Sequence, residues 1–362
     1  MKRIFRSFHS YDYFMLMMCV LLGEQLVFNS GIVSSSIHAS FEYYIDSLIP
    51  SLFCFLVLTA FISSSRLKHL FSFLMLPMCK LLCLPWNCGS ILFLSLIGGY
   101  PAGIKALTDA WKQKEIDEAT VKRVVLFAVC PAPSFVIVTI GCQLFHHIQT
   151  GILLYVTQLI STLFVAFALS IRQSVPSTKS LTCSMFETTG LSYSEALVEA
   201  VVFSAQTMLV MGGYILLFGV LRSFIAQIGL SGQLFALLSA LLEISVGTAE
   251  LIKFPSKYLL QILSFCLSFG SLSIQFQLKS ILKDCPCSLL RVMMGRLIHG
   301  IFSATVITVL IPLFPQAKAV FSADSFAIPQ SQSSTPLLSI CLVGMMIIII
   351  FTKKVNPRLT SK

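Results

Sequence analysis

Charge is scarce in this chain of 362 residues. Asp, Glu, Lys and Arg make up 11% of the sequence, against about a quarter in soluble domains. Hydrophobic residues make up 56%, and the mean hydropathy is +0.88. A chain of this composition cannot cover a water-exposed surface with charge, which excludes an ordinary soluble domain. We therefore predict an all-α polytopic protein that is embedded in a lipid bilayer.

Motifs of enzymes are missing as well. The chain has no Gly-rich phosphate loop ending in Lys-Ser or Lys-Thr, no zinc-binding helix motif and no nucleophile elbow. Most of its 12 cysteines lie in or beside apolar segments, and Cys285-Pro286-Cys287 has no second ligand pair. We expect no enzyme, no cofactor and no metal site. The net charge of +10 indicates loops at a membrane face and not a nucleic-acid partner.

Apolar segments alternate with short loops after a basic N-terminus. There are eleven, at about 13–33, 48–64, 70–84, 90–104, 124–142, 151–171, 198–221, 233–252, 258–278, 293–314 and 336–352. Eleven crossings from a cytoplasmic N-terminus would leave the basic C-terminal tail outside. We therefore predict about ten transmembrane helices plus one re-entrant hairpin at 258–278, the segment richest in Ser, Gly and Gln, with both termini cytoplasmic.

The distribution of Lys and Arg agrees with this topology. It places 22 of the 25 on the cytoplasmic side, including all four between residues 279 and 296. Arg222 and Lys318 lie outside, and Lys80 lies within a span. This asymmetry follows the positive-inside rule.

The stretch from Ser95 to Gly141 organises the rest of the chain. Two apolar segments, broken by Gly or Pro, flank the charged loop 105–123. Non-helical backbone at membrane depth must be buried in protein or line a wet cavity, and a broken helix of this kind is a pointer to a transport site. A Ser/Gly break at 268–275 recurs in the second half, which predicts two inverted repeats.

These features predict four regions. The first is a cytoplasmic tail with an anchor helix, the next two are the repeats, and the last is a second cytoplasmic tail. Their predicted boundaries are 1–40, 41–175, 195–352 and 353–362.

Four motifs in this order resemble the YlbJ (SpoVV) family of sporulation integral membrane proteins, which belongs with the nucleoside-recognition or Gate domain proteins. The resemblance covers about residues 40–350. It implies two Gate-like repeats and movement of dipicolinate during spore formation, in a bacterial cell membrane such as the outer forespore membrane. The motifs are Gly98 to Lys105, Pro133-Ser134-Phe135 with Thr139-Ile140-Gly141, Leu241 to Gly247, and Phe269 to Gln275.

The chain also departs from that family. Where the family tends to have an Asn-Asn-Ser-Gly-Pro-like run, Ala128 to Pro133 reads AVCPAP. The loss of amide side chains removes polar contacts to a ligand. A different anion, a nucleoside-type transporter and a non-transporting scaffold or accessory protein in spore formation therefore remain open, as does homo-oligomerisation.

The first break predicts an anion site. N–H groups at the N-termini of half-helices favour negative charge, glycines let a ligand approach the backbone, and a lysine adds charge. The alternatives are close helix packing by the glycines and a lysine that reaches toward the interface. The predicted substrate-binding residues are Gly98, Gly99, Tyr100, Gly103, Lys105, Ser134, Ser271, Ser273 and Gln275.

Acidic residues inside apolar segments are the candidates for ion coupling, because an ionisable group at membrane depth is costly and usually functional. Glu24 and Glu243 both qualify. We favour Glu243, which lies in a motif shared with the YlbJ family, as the coupling residue. For His299 the sequence favours a hydrogen bond to a neighbouring carbonyl over a proton relay.

Overall fold

The computed structural model describes residues 10–171, 191–254 and 256–314. All regular secondary structure in these ranges is helical, and one isolated bridge joins Ser65 to Leu191. The predicted segment 336–352, the C-terminal tail and Lys318 lie outside the described residues.

The α-helices are numbered in chain order. They are α1 Ser10–Phe28, α2 Ser30–Tyr43, α3 Ile49–Ser64, α4 Leu67–Leu74, α5 Leu76–Leu81, α6 Cys88–Ile97, α7 Gly99–Lys112, α8 Glu118–Val124, α9 Ile148–Ser170, α10 Tyr193–Gln227, α11 Gly232–Leu242, α12 Ile244–Ile252, α13 Leu259–Phe269, α14 Leu272–Ile281 and α15 Leu289–Leu310. Tyr44–Leu48 and Ser134–Leu144 are π-helical, and Leu282–Asp284 and Ile311–Leu313 are 3₁₀-helical.

Within the described ranges, five helical runs are long and apolar enough to cross a bilayer. They are Ser30–Ser64, Ile148–Ser170, Tyr193–Gln227, Leu259–Asp284 and Leu289–Leu313, with 35, 23, 35, 26 and 25 residues. The predicted class, an all-helical membrane protein, is confirmed for the described part of the chain. The predicted crossing at 70–84 is not seen as one helix, because α4 ends at Leu74 and α5 is a separate helix of six residues that begins beside Pro77.

Helices α6 and α7 fold back on each other. Gly103 lies against Ser95, so that a Cβ on Gly103 would stand 2.7 Å from the Ser95 Cα. In a continuous helix these residues, eight positions apart, would be separated by about 12 Å. The chain reverses at Gly98 and Gly99, and Gly99 has a φ of +78°, which favours glycine. We call residues 88–112 hairpin 1.

A second hairpin is formed by α11 and α12. A Cβ on Gly247 would overlap the backbone of Ala240 and stand 2.5 Å from the carbonyl carbon of Ser239. The chain reverses at Glu243, whose carboxylate accepts a hydrogen bond from the Val246 N–H at 2.8 Å and so caps α12. We call residues 232–252 hairpin 2.

Residues 258–278 do not form the predicted hairpin. Helices α13 and α14 do not pack side by side. They are separated by a break at Gly270, where φ is +67°, and Ser271 then caps α14. The polar residues that suggested a hairpin are instead buried between helices, where Gln158 of α9 bonds with Ser264, Ser268 and Ser303. The two hairpins therefore occupy segments that were predicted to cross.

A second broken segment lies in the first half of the chain. Helix α8 is capped by Asp117, whose carboxylate accepts from the Thr120 N–H at 3.0 Å. Hydrogen bonds from the Thr120 side chain and, less strongly, from its N–H lower the pKa of Asp117. The backbone then leaves the α-helix over residues 125–132, and the π-helix Ser134–Leu144 follows. Both halves thus contain a long helix, a hairpin, a broken segment and a second long helix, in that order.

Candidate functional site

The tips of both hairpins and the breaks of both broken segments line one internal cavity of about 50 Å³. A cavity of this size holds a few water molecules. Its walls are largely apolar, with Phe55 and Phe135 among them. The groups on its wall that carry polar or ionisable side chains are Tyr100, Cys130, Glu243, Ser245, Gln277 and Arg296.

The tip of hairpin 1 lies directly against the first break. A Cβ on Gly99 would stand 2.8 Å from the Cβ of Ala132 and 3.0 Å from its nitrogen. The positive φ of Gly99 and this close approach both require glycine. Gly98 lines the cavity, whereas Gly103 is used to pack the two arms of the hairpin together.

Arg296 connects the two breaks. Its side chain is 1% exposed, and its guanidinium group donates hydrogen bonds to the carbonyl oxygens of Val129, Leu267 and Phe269, the last two at 3.4 Å. Val129 lies in the first break, and the other two carbonyls are at the end of α13. A helix end leaves such carbonyls without partners inside the helix. Arg296 therefore satisfies carbonyls that both breaks expose.

Arg296 makes no direct ion pair with an acidic side chain among the described residues. Its fourth contact is with His299, where Nη1 and Nδ1 are 3.1 Å apart, and none of the ion pairs among the described residues includes it. Arginine remains protonated in proteins. The cavity wall therefore carries a fixed positive charge.

Sequence reasoning missed Arg296 because it was counted with the cytoplasmic loop 279–296. The structure places it in the second turn of α15, below the protein surface. A signal was present, since Arg296, His299 and Ser303 recur at helical spacing within an apolar segment and so share one buried face.

Most polar residues of the second break make hydrogen bonds behind the cavity wall and do not line the cavity. Gln277 lines the cavity and accepts a hydrogen bond from the Tyr100 hydroxyl, which joins hairpin 1 to α14. The amide of Gln277 in turn donates to Ser273 at 3.0 Å. Gln275 donates to the Phe269 carbonyl at 2.8 Å. Ser271, Ser273 and Gln275 are buried outside the cavity wall.

Two other predicted residues lie away from the cavity. The Lys105 ammonium is bonded to Asp109 at 2.6 Å and to Glu199 at 3.0 Å, so two carboxylates already balance its charge. Ser134 begins the π-helix and is not on the cavity wall. Of the predicted set, the structure therefore brings Gly98, Tyr100 and Glu243 together.

Glu243 is the acidic group of the cavity. Its side chain lies at the turn of hairpin 2, is 6% exposed and shares the cavity with Arg296. The other intramembrane candidate, Glu24, is exposed on α1. The site thus combines one carboxylate, one guanidinium group and apolar walls.

A helical integral membrane protein with an interior charged cavity between two hairpins and two broken segments is the class that these features define. The chain is 24% identical, over 338 residues, to the sporulation integral membrane protein YlbJ of Bacillus subtilis (strain 168), and the match covers 80% of this chain and 82% of that protein. The chain is thus similar to YlbJ over most of its length, in line with the resemblance that its motifs indicated. No family model and no solved structure matches it, and the Gate grouping stays a prediction.

Proposed function

We propose that this protein is a secondary transporter of a small organic anion that binds in the cavity between the two hairpin tips. The observation that carries the proposal is Arg296, a buried cation on the cavity wall with no ion-pair partner among the described residues. A charge at membrane depth is costly and usually serves a function. A carboxylate that enters the cavity supplies the missing counter-charge.

The hydrogen bonds of Arg296 leave room for that carboxylate. Guanidinium has five N–H groups, and four are directed at Val129, Leu267, Phe269 and His299. One N–H of Nη2 is left. The two contacts at 3.4 Å are also long enough to be exchanged for a shorter, charge-assisted bond to an anion.

The apolar walls favour an aromatic carboxylate, and dipicolinate is the first candidate because the resemblance to the YlbJ family implies it. A cavity of about 50 Å³ is too small for that molecule. Binding therefore requires the hairpin tips to separate. Movement of a hairpin tip away from a fixed site is a route to alternating access.

The order of elements supports an inverted arrangement of the two halves. Three of the described segments lie between the hairpins, namely residues 118–144, α9 and α10. If each crosses the membrane once, the hairpins enter from opposite faces. Hairpin 1 then enters from the cytoplasm, next to the basic loop 105–123, and hairpin 2 enters from outside. This arrangement replaces the predicted return at 258–278 and is compatible with cytoplasmic termini.

A ligand screen tests the transport proposal against a scaffold. The purified protein is unfolded by heat in the presence of dipicolinate, other aromatic and aliphatic carboxylates, nucleosides and chloride. A ligand at about 100 times its Kd stabilises the folded state by about 2.7 kcal/mol. We expect one class of carboxylates to raise the unfolding temperature. No response to any anion would contradict the proposal and favour a scaffold.

Variants of Arg296 connect that response to the cavity. Arg296→Lys keeps the charge but loses the planar fork, and should weaken the response while the protein stays folded. Lys105→Gln, away from the cavity, is the control and should respond as the wild type does. An unchanged response in Arg296→Lys together with a lost response in Lys105→Gln would place the anion elsewhere.

Glu243 is the proposed coupling group. Glu243→Gln keeps the shape and an oxygen that can cap α12, but it cannot ionise. We expect uptake by this variant to lose the pH or sodium dependence of the wild type, with little change in unfolding temperature. Uptake in vesicles at several pH values and sodium concentrations measures this. Retention of the wild-type dependence would make Glu243 a structural cap only.

A further inference from the structure

We propose that His299 is the positioning residue of the anion site: it holds the guanidinium of Arg296 through Nδ1 and is itself anchored to Thr162 through Nε2. The inference rests on the proposed function, since it names the residue that orients the anion-binding group. His299 is fully buried and is not on the cavity wall. It therefore acts through Arg296 and not on the ligand.

The two contacts of His299 define its tautomer. Arginine has no acceptor, so the 3.1 Å contact must be a donation from Arg296 Nη1 to His299 Nδ1. The ring hydrogen is then on Nε2, which donates to the Thr162 hydroxyl at 3.3 Å. An imidazolium ring could not accept from Arg296. The geometry thus requires a neutral ring with its hydrogen on Nε2.

This arrangement decides which part of the guanidinium remains for a ligand. Both hydrogens of Nη1 are used, one by the Val129 carbonyl and one by His299. The N–H that remains is on Nη2, whose other hydrogen makes the long contact with the Leu267 carbonyl. Because His299 prevents rotation of the Arg296 guanidinium group, the free N–H keeps a fixed direction.

Helix α15 provides the spacing. Arg296 and His299 are three residues apart and lie on one face, and Thr162 is on α9, which packs beside α15. The series of hydrogen bonds from Thr162 through His299 to Arg296 therefore joins the long helix α9 to both breaks. Without His299, the guanidinium would be held only by backbone carbonyls, two of them at 3.4 Å.

Two substitutions separate the two nitrogens of His299. The amide oxygen of His299→Asn falls near the place of Nδ1 and preserves an acceptor for Arg296. The longer amide of His299→Gln reaches the place of Nε2, so it preserves the contact with Thr162 and loses the acceptor. The variants are therefore a matched pair, similar in polarity, that differ in the contact proposed to matter.

Calorimetric titration with dipicolinate measures the effect on folded protein. We expect His299→Asn to bind within about threefold of the wild type. His299→Gln should bind about ten- to a hundredfold more weakly, which is the range for one charge-assisted hydrogen bond. Thermal unfolding should be similar for both variants. Equal weakening in the two variants, or no weakening in either, would overturn the inference.

Nitrogen NMR of histidine-labelled protein gives a readout that needs no ligand. The resonance of His299 is assigned by its loss in the His299→Asn variant. We expect a neutral ring protonated on Nε2, with Nδ1 shifted by an accepted hydrogen bond. A ring protonated on Nδ1, or a charged ring, would overturn the inference even if dipicolinate binds. The expected ring together with no binding of any screened anion would refute the proposed function and leave the Arg296 contact in place.

Discussion

The two hairpins have the same place in their halves of the chain but differ in the ion pairs that join them to the rest of the protein. Among the described residues, three sets of ion pairs lie in hairpin 1 or just after it. These join Lys105 to Asp109 and Glu199, Glu115 to Lys68, and Lys112 to Asp284. Hairpin 2 has one charged cluster, in which Glu250 pairs with Arg222 at 3.1 Å and with Lys253. Ion pairs thus join hairpin 1 and the residues after it to three other segments, and hairpin 2 to α10.

The tips of the two hairpins also differ in the groups that form them. The tip of hairpin 1 is made of glycine backbone that lies close to Ala132. The tip of hairpin 2 is closed by one side chain, Glu243, which is bonded to the backbone and faces the cavity. Under the proposed function, hairpin 1 shapes the site and hairpin 2 carries the proposed coupling group.

The largest expected effect is in accessibility. Gln113 follows hairpin 1 and Gln233 lies at the start of hairpin 2, and both side chains are exposed. We expect single cysteines at these positions, in a background without reactive native thiols, to be labelled from opposite faces of intact cells. Gln113→Cys should be protected from an impermeant reagent, and Gln233→Cys should react. Labelling of both from the same face would disprove the inverted arrangement.

Next in size is the effect of adding a methyl group between the arms of each hairpin. At Gly247 the added Cβ would meet only the backbone of Ser239 and Ala240, whereas at Gly103 it would meet the movable hydroxyl of Ser95 as well as backbone. Overpacking costs about 1–3 kcal/mol. We expect Gly247→Ala to lower the free energy of unfolding by about 3 kcal/mol, more than Gly103→Ala does.

Gly213 of α10 provides the control for these two variants. Nothing lies within 4 Å of a Cβ at that position. Gly213→Ala should leave stability unchanged or raise it by about 0.5–1 kcal/mol, because alanine favours a helix more than glycine does. Thermal unfolding of the three variants checks the order. If Gly103→Ala were the most destabilising, hairpin 1 would be the less adaptable of the two.

The smallest expected effect is that of a Lys105 substitution on the affinity for the anion. From the sequence, a lysine beside the break should strengthen anion binding about ten- to a hundredfold. Because the structure pairs Lys105 with two partly exposed carboxylates, we now expect Lys105→Met to change the Kd for dipicolinate by less than about threefold and stability by about 1 kcal/mol or less. Titration and thermal unfolding measure both. A tenfold loss of affinity without unfolding would return Lys105 to the site.

Local chemistry was sufficient to find the helix breaks that contain glycine or proline. Gly98-Gly99 and Gly270 adopt or adjoin backbone conformations that favour glycine, and the AVCPAP run has two prolines that an α-helix interior does not accept. Composition was sufficient for the class of protein, since so few charges and so many apolar residues suit only a bilayer. The ordered motifs were also sufficient to indicate the YlbJ family.

The direction of the chain after each break could not be read in the same way. A Gly-Gly pair interrupts a helix whether the chain continues or returns, and what makes residues 88–112 return is the contact between Gly103 and Ser95. The turn at Glu243 contains no glycine or proline. The helix that follows it is capped instead by the glutamate side chain. Sequence patterns therefore marked the helix ends that contain glycine or proline but not the turn at Glu243, and packing decided which segments fold back.

The position of Arg296 on the cavity wall was also decided by packing and could not be read from the sequence. Arg296 stands at the edge of a segment with other basic residues, where the positive-inside rule places it in the cytoplasm. Its depth follows from carbonyl oxygens that come from two breaks far apart in the chain, near Val129 and Leu267, and meet around one guanidinium group. Contacts between distant residues have no local signature, whereas hydrophobicity and backbone preference are properties of each residue and can be read directly.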